Sequence, residues 1–379
     1  MKVVIAPQSF KGSVSGAEAA KAIEEGLRKV FPGAETVLVP VADGGDGTLE
    51  ALVENTSGQI FTSQVSGPLG DPVRARWGVM GDGKTAVIEM AQASGLVLVP
   101  FGRRNPRHTT TFGTGQLIKQ ALERGYRRMI VGLGGSATND GGAGMARALG
   151  ARFRDKEGEA LPQGGAALAR LASIDVTNLH PALKDTEVIA ASDVDNPLCG
   201  PKGASAVYGP QKGASPKVVE ELDKALEHYA AIIKDSLGLD VANRPGAGAA
   251  GGLGAGLMAF AGGQVRSGID IVCDVLGFDD HLIGAHLVIT GEGRIDASTI
   301  YNKAPIGVAR RAAAHKIPVI ALAGSLGKGF EAVYDHGIGA VVCIVDRPMP
   351  IRDSIGRTYE LLTSATERSL RLLNLQLQQ

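Results

Sequence analysis

Apolar positions along the chain fall into two alternating rhythms. The run at residues 2–6 predicts a short strand and 7–14 a loop. Ser15 with Glu18 makes the S-x-x-E pattern of a capping box, which opens a helix. Ala19, Ile23, Leu27 and Val30 recur at helical spacing until Pro32-Gly33 stops the pattern. A second strand is predicted at 36–41, feeding a loop at 42–48 and another helix. This strand–loop–helix alternation predicts a parallel sheet. Between 60 and 99 it gives way to short β-like runs punctuated by Pro68-Leu69-Gly70-Asp71-Pro72 and Gly81-Asp82-Gly83, the pattern of antiparallel strands.

Beyond residue 100, Leu117, Ile118, Ala121 and Leu122 share one face of a helix predicted at 114–124 and stopped by Gly125. Strands are predicted at 129–133 and 187–192. Ser215-Pro216 starts a long helix faced by Leu222, Leu226, Tyr229 and Ile233. The α/β rhythm returns at 287–290, 318–323 and 340–345, and a last helix runs from 353. The chain reads as α/β with two domains. A Rossmann-like parallel-sheet domain is built from both chain ends (1–60 and 281–379), with a mixed α/β domain inserted at 61–280.

Composition narrows the function. A chain of 379 residues can bury a large core without disulfides or a structural metal. Its formal net charge is zero, which argues against a nucleic-acid or membrane-surface binder. Cys199, Cys273 and Cys343 are odd in number and lack metal-ligand spacing, as expected of reduced thiols. No apolar run is long enough for a signal peptide or a membrane span, so a cytoplasmic protein is expected. Glycine stands out: 53 residues, about 14% against a usual share of about 7%. These glycines cluster in loops after apolar runs. Ligands of open parallel sheets bind there, and a backbone without Cβ can approach a phosphate closely.

The segment from Gly134 to Gly144 follows a predicted strand and leads into a helix near Asp140. Its backbone N–H groups and the helix N-terminus could hold an anion, with Ser136 and Thr138 adding hydroxyls. Asp43, Asp46, Asp193 and Asp195 flank strand ends. Such carboxylates suit Mg²⁺ or a proton acceptor, although Asp195 before Asn196-Pro197 equally suits an Asx-turn. Lys11 lies in the first strand–helix loop, and Lys303 lies near Gly291-Glu292-Gly293. Gly246 to Gly251 spells G-x-G-x-x-G but follows Asn243-Arg244-Pro245 instead of a strand, which favours a close-packed helix start over a dinucleotide fingerprint. No Walker A sequence is present, and the seven histidines form no metal or triad pattern.

Taken in order, several segments resemble the bacterial glycerate 2-kinase family. These are Ala6-Pro7-Gln8-Ser9-Phe10-Lys11-Gly12-Ser13, Pro40-Val41-Ala42-Asp43-Gly44-Gly45-Asp46-Gly47-Thr48, and Gly134-Gly135-Ser136-Ala137-Thr138-Asn139-Asp140-Gly141-Gly142. They continue with Ser192-Asp193-Val194-Asp195-Asn196-Pro197-Leu198, Gly248-Ala249-Ala250-Gly251-Gly252-Leu253-Gly254 and Thr290-Gly291-Glu292-Gly293. The resemblance implies ATP-dependent phosphorylation of glycerate at its 2-hydroxyl with Mg²⁺, on a Rossmann-like domain carrying a second, inserted one. Departures fall at Gln8, where the family usually has aspartate, and at Ser298 and Asn302.

On this basis, the ATP phosphates are expected on Gly134, Gly135, Ser136, Ala137, Thr138 and Asn139, and Mg²⁺ on Asp193 and Asp195. Substrate is expected on Ser9, Lys11, Asp46 and Lys303, with Asp193 or Asp43 as base and Lys11 near the transferred phosphoryl. Glycerate and ATP are then the partners, with neither nucleic acid nor membrane. Three alternatives stay open. Gly44-Gly45-Asp46-Gly47-Thr48 also marks NAD and diacylglycerol kinases. The G-x-G-x-x-G match would fit a nicotinamide-dependent dehydrogenase. Nucleotide binding without catalysis is the third.

Overall fold

The computed structural model describes residues 1–301 and 303–377. Its contacts divide the chain into two compact units, 1–55 with 269–379, and 56–268. The sequence pattern placed these boundaries at 60 and 280. Residues 56–60 go with the second unit because strand Gln59–Ser66 belongs to its sheet. Helices Gly268–Val275 and Phe278–Leu282 are tied to the first unit by Arg311. Its guanidinium pairs with Asp274 at 2.6 Å and Asp279 at 2.5 Å, and also reaches Asp270.

The first unit holds β1 (Lys2–Pro7), β2 (Glu35–Leu38), β11 (Leu287–Glu292), β12 (Val319–Ala323) and β13 (Ala340–Cys343), all parallel in the order β13-β12-β11-β1-β2. Both ends of the chain thus build one sheet, with β1 and β11 side by side in register Val3↔Leu287 to Pro7↔Gly291. β1 connects through helix Gly16–Arg28 to β2 on one side. β11 connects through helix Ala304–Ala314 to β12 on the other. The strand order therefore reverses between β1 and β11.

Ser15 caps the first helix as expected: its Oγ accepts from Glu18 N–H at 3.2 Å, and Glu18 accepts from Ser15 N–H at 2.8 Å. Ile23 and Leu27 of that helix bury against Val3, Ile5, Leu287 and Ile289, together with Leu361 and Leu362 of helix Thr358–Leu377. The two helices touch at Gly26, where any Cβ would lie 2.3 Å from the Thr363 carbonyl. The terminal helical region begins separately as Ile351–Gly356.

In the second unit, β3 (Gln59–Ser66), β4 (Pro72–Val79), β5 (Thr85–Glu89), β6 (Arg128–Gly132), β9 (Glu187–Ala191) and β10 (Gln264–Arg266) form a mixed sheet in the order β10-β9-β6-β5-β4-β3. The β3–β4 and β4–β5 pairs are antiparallel, as the turn signals predict. From β5 onward the pairs are parallel. A separate ribbon pairs β7 (Arg152–Arg154) with β8 (Ser173–Asp175). Trp77 is fully buried on β4, and its indole N–H donates to Ser63 Oγ at 3.1 Å. The three cysteines are free thiols. Among the described residues, no helix is long and apolar enough to cross a membrane.

Candidate active site

In the first unit, the loops after β1, β2 and β11 carry the polar groups. Gln8 leaves β1 buried, its N–H on the Gly291 carbonyl at 2.8 Å, so this departure from the family pattern stands at the β1–β11 junction. Ser9 Oγ reaches the Asp46 carbonyl at 3.5 Å, and Lys11 Nζ lies 3.5 Å from Asp46 Oδ2, with both side chains largely exposed. The first and second loops are therefore joined through Asp46. Asp43 accepts from Gly45 N–H at 3.3 Å in a local turn. Four expected residues (Ser9, Lys11, Asp43 and Asp46) thus come together at one end of the sheet.

Glu292 ends β11 at the same end of the sheet and is only 8% exposed. Its Oε1 accepts from the buried Thr299 hydroxyl at 3.1 Å, and that hydroxyl in turn accepts from Asp296 N–H at 3.1 Å. Burial pushes the Glu292 carboxyl up to about 7. The Lys303 charge opposes the rise, Asp43 and Asp296 add to it, and the Thr299 hydrogen bond opposes it. Lys303 itself is the N-cap residue of helix Ala304–Ala314. Ser298 is exposed and donates to Asp296 Oδ1 at 2.6 Å, while Asn302 lies outside the described residues.

In the second unit, the glycine-rich loop after β6 divides in two. Gly135 is exposed with φ +74°, Gly134 is half-buried, and Ser136 is 9% exposed. Ala137, Thr138 and Asn139 turn inward. Ala137 N–H bonds the Ser94 carbonyl, Thr138 Oγ1 reaches the Ala250 carbonyl, and Asn139 Nδ2 donates to Ser205 Oγ at 2.9 Å. With no exposed surface, the Thr138 and Asn139 side chains serve the interior, and the accessible part of the loop is Gly134 and Gly135.

The inner half is held by two buried ionisable groups. Asp140 accepts from Thr111 N–H and Oγ1 at 2.8 and 2.9 Å, and from Gly142 and Gly144 N–H at 3.2 Å. Burial pushes its carboxyl pKa up against the pull of those four donors. Lys212 Nζ donates to the Thr138 carbonyl at 2.7 Å. Burial pulls the Lys212 ammonium down to about 7, and the Asp140 charge resists that fall.

The G-x-G-x-x-G segment packs on this same loop. Gly251 has φ +68°, and a Cβ there would stand 1.9 Å from the Thr138 carbonyl. A Cβ at Gly252 would stand 2.8 Å from Gly141 Cα. Gly141 N–H bonds the Gly251 carbonyl at 3.0 Å. These glycines let two backbones touch, so the close-packed role accounts for them and the dinucleotide role does not. Beyond β9, Asp193 Oδ1 accepts from Ser267 Oγ and Gly268 N–H, both at 2.9 Å, at the start of helix Gly268–Val275. Asp195 is exposed.

The glycerate kinase family model matches residues 3–374. The chain belongs to the glycerate kinase family. It is 52% identical over 366 residues to the glycerate 2-kinase of Escherichia coli K12, covering 97% of this chain and 96% of that one. It is 52% identical over 362 residues to the glycerate kinase of Bacillus subtilis 168, covering 96% and 95%. A crystal structure from Salmonella typhimurium LT2 assigned to glycerate kinase 2 superposes with a TM-score of 0.87 at 48% identity, with both chains fully covered.

Among the described residues, no group of three or more His, Cys, Asp or Glu could hold a metal. Mg²⁺ takes hard oxygen ligands and commonly only one or two protein carboxylates, completing its shell with phosphate and water. Asp193 and Asp195 supply that smaller number of carboxylates, and Asp193 Oδ1 accepts from Ser267 Oγ and Gly268 N–H. Two residues were missed by the expected site. Glu292 stood inside a quoted motif, yet its weight comes from the order of strands around it. Lys212 carries no local signal in the sequence, and only the long-range fold shows it buried.

Proposed function

We propose that the chain transfers the γ-phosphoryl group of ATP to the 2-hydroxyl of D-glycerate, giving 2-phosphoglycerate and ADP, with Mg²⁺ and in the cytoplasm. The observation that carries the proposal is the near full-length match, at 52% identity, to a relative named glycerate 2-kinase. Phosphoryl transfer depends chiefly on positioning and charge stabilisation, so it needs no Walker motif. In this proposal Gly134, Gly135 and Ser136 supply backbone N–H groups to the ATP phosphates, and Ala137, Thr138 and Asn139 hold that turn from within. Ser9, Lys11, Asp46 and Lys303 bind glycerate, Lys11 and Lys303 facing its carboxylate and the transferred phosphoryl. Asp193 and Asp195 would hold Mg²⁺, which supplies positive charge to the phosphate oxygens.

The dehydrogenase alternative loses its one support, because the glycines at 246–252 are consumed by packing. The test is incubation with MgATP and a panel of three- to six-carbon hydroxy acids, including both glycerate enantiomers, read by ³¹P NMR. The 2-phospho product is expected. A 3-phospho product would overturn the regiochemistry, and no phosphorylated glycerate would overturn the function. Product from NAD instead would establish the other kinase type.

A further inference from the structure

The two carboxylates expected to act as base are each engaged locally. Asp193 Oδ1 takes Ser267 Oγ and Gly268 N–H, and Asp43 takes the Gly45 N–H of its own turn. A third carboxylate stands where the topology points. Open α/β sheets bind ligands beyond the carboxyl ends of the strands, at the place where strand order reverses. In the first unit that place lies between β1 and β11, and Glu292 is the last residue of β11. We propose that Glu292 accepts the proton of the substrate hydroxyl during phosphoryl transfer. The inference rests on the glycerate kinase reading above and names the base within it.

The strand end packs closely around this one side chain. Gly291 precedes it, and a Cβ there would stand 2.4 Å from the Leu322 carbonyl. Gly293 follows it, its Cβ position 3.6 Å from Lys11 N, so the backbone runs close beside the first loop. Between two glycines, Glu292 feels the charges of Lys303, the N-cap residue of the next helix, Asp43 in the loop after β2, and Asp296 in its own loop. Thr299, fully buried, fixes Oε1. Among the described residues Glu292 makes no ion pair at contact distance, an unusual state for a carboxyl so nearly enclosed.

This environment suits a proton acceptor. A base works best with an affinity for protons near the working pH, and the carboxyl at about 7 meets that condition. In the step, the C2 hydroxyl oxygen bonds to the γ-phosphorus while the bond from that phosphorus to the β–γ bridging oxygen breaks. ADP leaves with that electron pair. The hydroxyl proton passes to Glu292 and afterwards to solvent.

A purely structural glutamate, needed only to hold the 293–299 loop through Thr299, would tolerate glutamine, whose oxygen can accept the same bond. The full chain is therefore assayed as parent, Glu292→Gln and Glu292→Asp, with MgATP and D-glycerate from pH 5.5 to 9. Fold is checked by circular dichroism and ATP affinity by calorimetry. Glu292→Gln is expected to fold, to bind ATP within about threefold of the parent, and to lose at least about 10²-fold in kcat. The acid limb of the parent kcat profile, near pH 7, should vanish in that variant, and Glu292→Asp should regain part of the rate. A glutamine variant within about threefold of the parent in kcat overturns the proposal. If that variant fails to fold, a parent profile with no acid limb overturns it instead. A parent that makes no phosphoglycerate overturns the glycerate kinase reading itself, whereas an active parent with an active glutamine variant overturns only the role of Glu292.

Discussion

The ammonium of Lys212 donates a 2.7 Å hydrogen bond to the carbonyl oxygen of Thr138, and both residues are buried. A lysine 74 positions away in sequence therefore holds the inner half of the glycine-rich loop. Its folded value of about 7 lies below the usual lysine value of about 10.4. Between those values the unfolded chain binds the extra proton and the folded chain does not, so this group makes stability rise with pH from about 7 to about 10.4. Below pH 7 both states carry the proton and the destabilising effect of burial is present in full. Lys212→Met should remove this slope. Urea midpoints measured at pH 6.5, 8 and 9.5 for parent and variant test it, and equal pH trends in the two proteins would count against it.

The expected close packing of the 246–252 segment can be checked without any ligand. Ala250, Gly251 and Gly252 all have positive φ. Gly251→Ala combines a left-handed backbone, costing about 1–2 kcal/mol for a residue with Cβ, with a Cβ driven to within 1.9 Å of the Thr138 carbonyl. A loss of at least about 2 kcal/mol is expected, since overpacking adds about 1–3 kcal/mol to the backbone cost. Gly33→Ala, where nothing lies within 4 Å, is the control and should change stability by less than about 0.5 kcal/mol. A Gly251→Ala protein as stable as the control would show that the two backbones do not touch.

Local pattern made much of this fold legible. The Ser15 capping box, the Ser215-Pro216 helix start and the antiparallel run after residue 60 each carry their cause within a few residues. Where pattern fell short, the cause lay elsewhere in the chain or in element length. The strand expected at 36–41 is assigned only as Glu35–Leu38. Val39 and Val41 still bond the Ile5 and Pro7 carbonyls, so the pairing with β1 runs on past Leu38, and Pro40 falls on the open edge, where no N–H is needed. The three-residue strands β7, β8 and β10 are too short to show a period. Site residues split the same way. Ser9, Lys11, Asp43 and Asp46 follow strands and were visible as loop chemistry. Glu292 gains its position from the order β12-β11-β1-β2, which no spacing along the chain encodes.

Glu292 also gives a stability prediction whose sign opposes its effect on rate. Its folded value of about 7 exceeds the ordinary glutamate value of 4.5, so between these the folded protein binds more protons than the unfolded chain. Stability from this group is fully present below about pH 4.5 and is lost as pH rises through about 7. At pH 8 the buried charge costs on the order of 3 kcal/mol at most, at about 1.36 kcal/mol per pKa unit. Glu292→Gln should therefore unfold at a higher temperature than the parent at pH 8, with a much smaller difference at pH 5. Scanning calorimetry at the two pH values reads it. A variant less stable than the parent at pH 8 would mean that the carboxylate is net stabilising where it stands.

Asp193 separates metal binding from proton transfer. Its Oδ1 accepts from Ser267 Oγ and Gly268 N–H, and asparagine keeps an oxygen that can accept both bonds, so Asp193→Asn should fold with a near-parental circular dichroism spectrum. What asparagine removes is the negative charge. If Asp193 and Asp195 hold Mg²⁺, the variant should need more of it: the half-saturating concentration should rise by about tenfold or more, since the pair is then left with one charged ligand. Much of the lost rate should return at high Mg²⁺. A base would behave otherwise, since about 10²- to 10⁴-fold in kcat would be lost at every Mg²⁺ concentration. Rates measured over a wide range of Mg²⁺ concentrations at saturating ATP and glycerate therefore distinguish the two roles. Rescue would place Asp193 with the metal and leave the proton to Glu292. A loss that no Mg²⁺ concentration relieves, in a folded protein whose Glu292→Gln counterpart stays active, would return the base to Asp193. Unchanged kinetics would leave Asp193 as the acceptor at the start of helix Gly268–Val275 and no more.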